Sequence, residues 1–302
     1  MILRPPAFTG SIGKERKEER EMDVSGKVAV VTGGGSGIGQ GIALALAQEG
    51  AAVAIADIME ANAGSVVDEI VRSGGRAVAI ACDVSDRASV AEMKQQANRE
   101  LGPVSLLIAN AGVTMFEELT DMSDEDVDWV IDVSLYGVVH CVQAFVPDMI
   151  AAREGHIVAT ASVAGLLAPF IGRHAPYCAA KAGIIGFILS LRSDLEKHGV
   201  GASVLCPSAV ESRITDSPLY RPARYGGAQQ GEVSLPAGAG EHGHAQSRPA
   251  LEAADMVIES IRANRAVIVT DPTHRVGFER GMVAQVLEAF DAAADFDKAK
   301  AS

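Results

Sequence analysis

The 302-residue chain carries only four cysteines, Cys82, Cys141, Cys178 and Cys206, and no two of them stand in a CxxC pair. Isolated thiols of this kind read as small buried hydrophobes in a reducing compartment, which excludes a disulfide framework or a zinc site. No apolar run approaches the roughly 20 residues that a membrane-spanning helix needs, since Gly, Ser or a charge interrupts each one. Positive charge is also short: 26 Lys and Arg face 39 Asp and Glu, a formal net charge of -13. A nucleic-acid partner requires a basic face, so that class is excluded. No repeat of solenoid period is present. MILRPPAF at the start is too short for the apolar region of a signal peptide. These absences predict a cytoplasmic protein with no membrane or nucleic-acid partner. His242 and His244 form an HxH pair, but no third ligand lies near them and no metal site is predicted.

What is present is ordinary globular composition, 48% hydrophobic and 22% charged, enough for one large α/β domain with a full core. Residues 1–22 read as an extension. Lys14 to Glu21 carries four positive and four negative charges, and Met22 is a plausible alternative start. The domain is predicted over 23–302.

From Lys27 onwards short apolar runs alternate with segments of helical period. KVAVVT (27–32), AVAIAD (52–57), RAVAIACD (76–83), SLLIANAG (105–112), GHIVATAS (155–162), GASVLCPS (201–208) and AVIVTD (266–271) predict strands covered on both faces. Segments such as GIGQGIALALAQEG between them place apolar residues three and four apart and end on Gly. Such alternation predicts right-handed crossovers and a doubly wound parallel sheet of α/β, Rossmann-like class. Asp216 to Pro249, with four prolines and six glycines, has no sustained period and reads as a long irregular insertion. Its two explanations are a functional lid and a surface excursion.

The first strand runs into Thr32-Gly33-Gly34-Gly35-Ser36-Gly37-Ile38-Gly39, and a helix follows at once. Glycine lets backbone N–H groups approach a phosphate, and the helix N-terminus favours its charge. The spacing is GxxxGxG, not GxGxxG, and its strand–helix setting is what lifts it above a tight turn that binds nothing. Asp57 ends the second strand, 18 positions beyond Gly39. A carboxylate there accepts from both ribose hydroxyls of an adenosine and repels a 2′-phosphate; neither position 36 nor 58 offers Lys or Arg to that phosphate. NAD is therefore predicted over NADP. The bland explanation, an Asp capping the next helix, does not account for its place at a strand end.

Tyr177-Cys178-Ala179-Ala180-Lys181 sets a phenol and an ammonium four residues apart on one helix face. A nearby cation stabilises a phenolate, which is otherwise scarce at neutral pH. Taken alone, YxxxK is a chance match on a surface helix. Ser162 at the end of the preceding strand turns it into a proton-relay set at the carboxyl edge of the sheet.

With TGGGSGIG (32–39), Asp83-Val84, ANAG (109–112), Ser162, Tyr177-x-x-x-Lys181 and Pro207-Ser208, residues 23–290 resemble the short-chain dehydrogenase/reductase family. The resemblance implies one sheet of seven parallel strands and a hydride transfer between NAD(H) and a secondary alcohol or ketone. It implies Tyr177 as general acid/base, Lys181 on the nicotinamide ribose, and Ser162 on the substrate oxygen. Asp83 and Val84 are implied near the adenine, Asn110, Ala111 and Gly112 along the cleft, and Pro207, Ser208, Val210 and Ser212 on the cofactor. Gly33, Gly35, Ser36, Gly37, Ile38 and Gly39 are implied around the pyrophosphate. Three departures stand out: Ser134 replaces the usual Asn of the relay, Ser208 and Ser212 replace Gly and Thr, and the connection 165–176 is long. The family carries its substrate-covering loop where 213–250 falls, which favours the lid. The stretch 212–226 is similar to bacterial dehydrogenases acting on benzylic alcohols of lignin-derived aryl ethers, so a bulky cyclic or aromatic substrate is expected.

Two other readings share these residues. A cofactor-binding sensor without turnover has Ser134 as its sole support. An epimerase or dehydratase with transient hydride transfer would use the same triad, although a nucleotide-sugar enzyme would bring a larger second domain. The helical stretches 125–150 and 177–198 are apolar on more than one side, at Trp129, Leu135, Val139, Phe145, Ile184, Phe187 and Leu191. Core packing accounts for this; the resemblance implies in addition that both helices form subunit interfaces of a homo-oligomer, most often a tetramer.

Overall fold

The computed structural model describes residues 22–167, 172–230 and 247–301. Residues 1–21 of the predicted extension, 168–171 of the long connection, the His242/His244 pair and the middle of the predicted lid (231–246) lie outside them.

Seven strands form one wholly parallel sheet in the order β3-β2-β1-β4-β5-β6-β7. They are β1 Val28–Thr32, β2 Ala52–Asp57, β3 Arg76–Ala81, β4 Leu106–Ala109, β5 Gly155–Thr160, β6 Val200–Cys206 and β7 Val267–Val269. Alternation within each strand explains why they read as continuous apolar runs. Val28 and Val30 point into one core, and Ala29 and Val31 into the other. Leu107 and Ala109 likewise oppose Leu106 and Ile108.

Helices cover both faces. One is packed by α1 Gly37–Gln48, α2 Glu60–Arg72 and α8 Ala250–Arg262. The other is packed by α3 Arg87–Leu101, by α4 Asp124–Ile131 continuing through a π-helical turn, Asp132–Tyr136, into α5 Gly137–Ala152, and by α7 Ala175–Glu196. The short α6 Val163–Leu166 precedes α7. After β7 the chain passes α9 Arg275–Phe278 and ends in α10 Ala284–Ala301, which leaves Leu287, Phe290 and Phe296 exposed.

Eighteen consecutive residues within the helical stretch Asp124–Ala152 reach a mean hydropathy of 1.5, long and apolar enough by composition alone to cross a membrane, although, as expected, charges and polar residues interrupt every apolar run. Half of that window is buried, with Trp129, Cys141, Phe145 and Met149 packed into the core. Core packing also accounts for Ile184, while Leu135, Val139, Phe187 and Leu191 are half-buried. The order of the strands reverses between β1 and β4, which opens a crevice beyond their carboxyl ends.

Candidate active site

That crevice is a cleft with a cavity volume of about 240 Å³. Of the residues predicted from sequence, all but Gly35, Gly39 and Ser134 line it. These three shape it from behind.

The glycine loop is built by close approach. Gly33 has φ +61°, and a Cβ there would lie 2.9 Å from Ala111 Cα. At Gly39 the same atom would sit 2.2 Å from the Gly33 carbonyl oxygen, so the first turn of α1 presses directly on the loop. Ser36, the N-cap of α1, makes no side-chain cap bond, and no acidic residue occupies the first turn. The terminal N–H groups of a 12-residue helix therefore remain for an anion. Thr32 closes the floor: its Oγ1 accepts from Asn110 N at 3.0 Å and Ala111 N at 3.2 Å. Asn110 Nδ2 donates back to Thr32 O at 3.1 Å, and Thr160 Oγ1 donates to Asn110 Oδ1 at 3.0 Å, joining β1, β4 and β5.

Asp57 ends β2, as expected. Its Oδ2 accepts from Gly35 N at 3.0 Å and its Oδ1 from Met59 N at 2.9 Å. It steadies the lead-in to α2, whose N-cap is Met59. Burial pushes its carboxyl up, opposed by these backbone bonds and by the Arg213 guanidinium. Arg213 was not foreseen, because it reaches the pocket from the far side of the sequence. A Cβ at Gly37 would lie 2.9 Å from Ser212 Cα, so the segment after β6 sits on the start of α1.

On the other wall, Ser162 caps α6: its Oγ accepts from Ala164 N at 3.1 Å, leaving its O–H free to donate. Tyr177 and Lys181 are buried on α7. Lys181 Nζ donates to Thr160 O at 2.9 Å and lies 5.4 Å from the Tyr177 ring centroid. Burial dominates both groups. It pushes the phenol up to about 12, with the nearby Ser162 hydroxyl pulling the other way, and brings the ammonium down to about 8. Ser134 is fully buried in the π turn, where its Oγ donates to Val113 O at 2.9 Å and accepts from Val113 N at 3.0 Å. Its proton is thus committed to the chain, not to Lys181. Ser208 Oγ lies 2.6 Å from His274 Nε2.

The described part of the predicted lid is a strap, two 3-10 turns at Ile214–Tyr220 and Ala223–Tyr225. Charges pin it across the cleft. Arg221, over Trp129 at 5.1 Å, pairs with Asp126; Arg224 pairs with Asp83 at 2.6 Å; the Tyr225 hydroxyl donates to Asp132 at 2.8 Å. Sequence spacing could not signal these pairs, since each joins residues about a hundred or more positions apart. Among the described residues no three His, Cys, Asp or Glu cluster to hold a metal.

Comparison with known proteins agrees with this geometry. The sequence profile of the short chain dehydrogenase family matches residues 27–219. The chain is similar to a C alpha-dehydrogenase of Sphingobium sp., 34% identical over 262 residues, which span 85% of each chain. It is also similar to the hydroxyacyl-CoA dehydrogenase ChsB1 of Mycobacterium tuberculosis, 42% identical over 207 residues and 64% of each chain. Among solved structures, a short chain dehydrogenase/reductase of Burkholderia phymatum in complex with NAD superimposes with a TM-score of 0.78. It is 34% identical and covers 85% of this chain and 93% of that one.

Proposed function

Because the chain belongs to the short-chain dehydrogenase/reductase family, we propose that it is an NAD-dependent oxidoreductase interconverting a bulky cyclic or aromatic secondary alcohol and its ketone by a Ser162–Tyr177–Lys181 mechanism. The convergence of these three side chains with the glycine loop in one cleft carries this reading. The cradle suits the cofactor: the uncapped N–H groups at the start of α1 would hold the pyrophosphate, and Asp57 would hold the adenosine ribose. When bound, NAD supplies the hydride acceptor for the carbinol C–H bond. The chain itself handles the proton. Ser162 donates to the substrate oxygen, Tyr177 takes the hydroxyl proton in oxidation and returns it in reduction, and the Lys181 ammonium favours the phenolate. Ser134 acts by holding the Val113 backbone that lines the cleft.

Ser134 was the sole support for a sensor without turnover, and its two bonds to Val113 weaken that support. The likeness to a C alpha-dehydrogenase supports a benzylic alcohol, and the likeness to a hydroxyacyl-CoA dehydrogenase a hydroxyacyl one. Residues 23–302 are taken as one catalytic domain, cytoplasmic and homo-oligomeric. The test is NADH formation from NAD with a panel of benzylic, alicyclic and hydroxyacyl alcohols. Tyr177→Phe is expected to lower kcat about 10²–10⁴-fold with NADH affinity unchanged. A variant that keeps its turnover removes the mechanism; tight NADH binding with no turnover anywhere in the panel restores the sensor.

A further inference from the structure

His174 stands three residues before Tyr177, at the N-cap of α7, and takes no part in the chemistry above. Its ring lies parallel to the Tyr177 phenol, with centroids 4.3 Å apart and an interplanar angle of 6°. The Phe116 ring covers its other face at 4.0 Å. The imidazole is 5% exposed; its Nε2 lies 2.7 Å from Thr114 Oγ1, and its buried Nδ1 has no hydrogen-bond partner. A plain hydrocarbon ring would fill this volume without orphaning a nitrogen, so packing alone does not explain a histidine. Thr114 supplies the other half of the explanation. Its backbone N–H donates to Ser217 Oγ, on the strap, at 3.4 Å. The imidazole thus joins the loop after β4, the strap and the helix that carries Tyr177.

We propose that His174 is a positioning residue for Tyr177: its ring fixes the tilt of the phenol against Ser162, and its bond to Thr114 couples that tilt to the seating of the strap. The proposal rests on the reading of Tyr177 as the acid–base group. Stacked rings prefer a narrow range of offsets, and a reacting oxygen displaced by about 1 Å costs on the order of a hundredfold in rate. The titratable groups around the phenol are Lys181 and Cys178 on its own helix and His174 above it. Burial brings the imidazole down to about 4, so it stays neutral at neutral pH and leaves Lys181 as the cation over the ring.

The experiment compares the full-length protein with His174→Phe, His174→Gln and His174→Ala. Phe keeps the stacked ring and loses the bond to Thr114; Gln keeps a polar group for Thr114 and loses the ring. With the best alcohol of the panel, kcat is expected to fall about tenfold or more in Gln and Ala and to be restored only in part in Phe, whose remaining deficit is the lost bond to Thr114, with NADH affinity level throughout. Any order other than Phe above Gln, or a parallel loss of NADH binding, overturns the proposal. Phe and Gln both fill the site, so the pair decides the matter even when Ala fails to fold. A second measurement needs no turnover. Alkaline difference absorbance, with Tyr177→Phe as the blank, follows ionisation of this one phenol among four tyrosines. Onset at lower pH in Gln and Ala but not in Phe is expected; unchanged onset in all three overturns the proposal. Turnover retained by Tyr177→Phe removes the acid–base reading instead, and the titration still judges His174.

Discussion

The two walls of the cleft are held by different kinds of contact. Around Gly33–Gly39 the backbone touches itself: carbonyl against helix, loop against Ala111, and one carboxylate, Asp57, on Gly35 N. The strap opposite is held by side chains, through Arg221–Asp126, Arg224–Asp83 and Tyr225–Asp132. A wall made of backbone has no slack, because an added methyl has nowhere to go. A wall pinned by side chains can open when its pins are withdrawn. The first suits a cofactor whose shape does not vary, and the second suits a substrate that must come and go.

Gly39→Ala is the sharpest challenge to the rigid wall, since its Cβ would lie 2.2 Å from a carbonyl oxygen. NADH binding is expected to be lost, with stability reduced by about 1–3 kcal/mol as read by thermal melting. Near-normal NADH affinity would show that the loop has slack after all. Arg221→Ala tests the pinned wall. It removes the partner of Asp126 and the cation over Trp129, the single tryptophan. Trp129 emission should shift to the red and substrate KM should rise several-fold, while Tm and NADH affinity hold. A large drop in Tm would mean that the strap is part of the core.

Asp57→Ala probes the boundary between the walls. Without the carboxylate, the nearby Arg213 is left to receive a 2′-phosphate, so NADP should gain on NAD by about tenfold in kcat/KM. An unchanged ratio would dissociate Asp57 from cofactor choice. The remaining effect appears only in acid, away from the working pH of both walls. His174 and His156 are buried and titrate at about 4 and about 3, below the ordinary 6.5. Between those values and 6.5 the unfolded chain binds more protons than the folded one, so stability falls as pH falls through this window. Each contributes a slope of up to about 1.4 kcal/mol per pH unit, and His174→Phe should remove one of the two. Denaturant melts between neutral pH and the acid limb check this; an unaltered slope in the variant places the effect elsewhere.

Fold and cofactor wall were legible in sequence for the same physical reason. A strand buried on both faces must be apolar along its whole length, and a loop that presses backbone on backbone must be glycine, so both write themselves into local residue choice. The seven predicted runs accordingly end within a few residues of the observed strands. The helix Asp124–Ala152 was less legible. Its apolar positions on more than one side fit core packing and a subunit interface alike, and the packing of Trp129, Cys141, Phe145 and Met149 bears out the first.

Ser162, Tyr177 and Lys181 were visible because they sit at the ends and faces of regular elements, whose positions the strand–helix alternation already determines. The sequence by itself thus settled a parallel α/β sheet and its crevice, and it pointed to the chemistry proposed there. Only the tertiary structure decided what stands around that chemistry: Arg213 beside Asp57, Arg224 on Asp83, Ser134 tied to Val113, and His174 stacked on Tyr177. Most of these contacts join residues far apart in the chain, and His174, though adjacent, takes its meaning from Thr114 and Phe116. Ion pairs and ring stacks leave no periodic mark on a sequence, because nothing in the local backbone requires them.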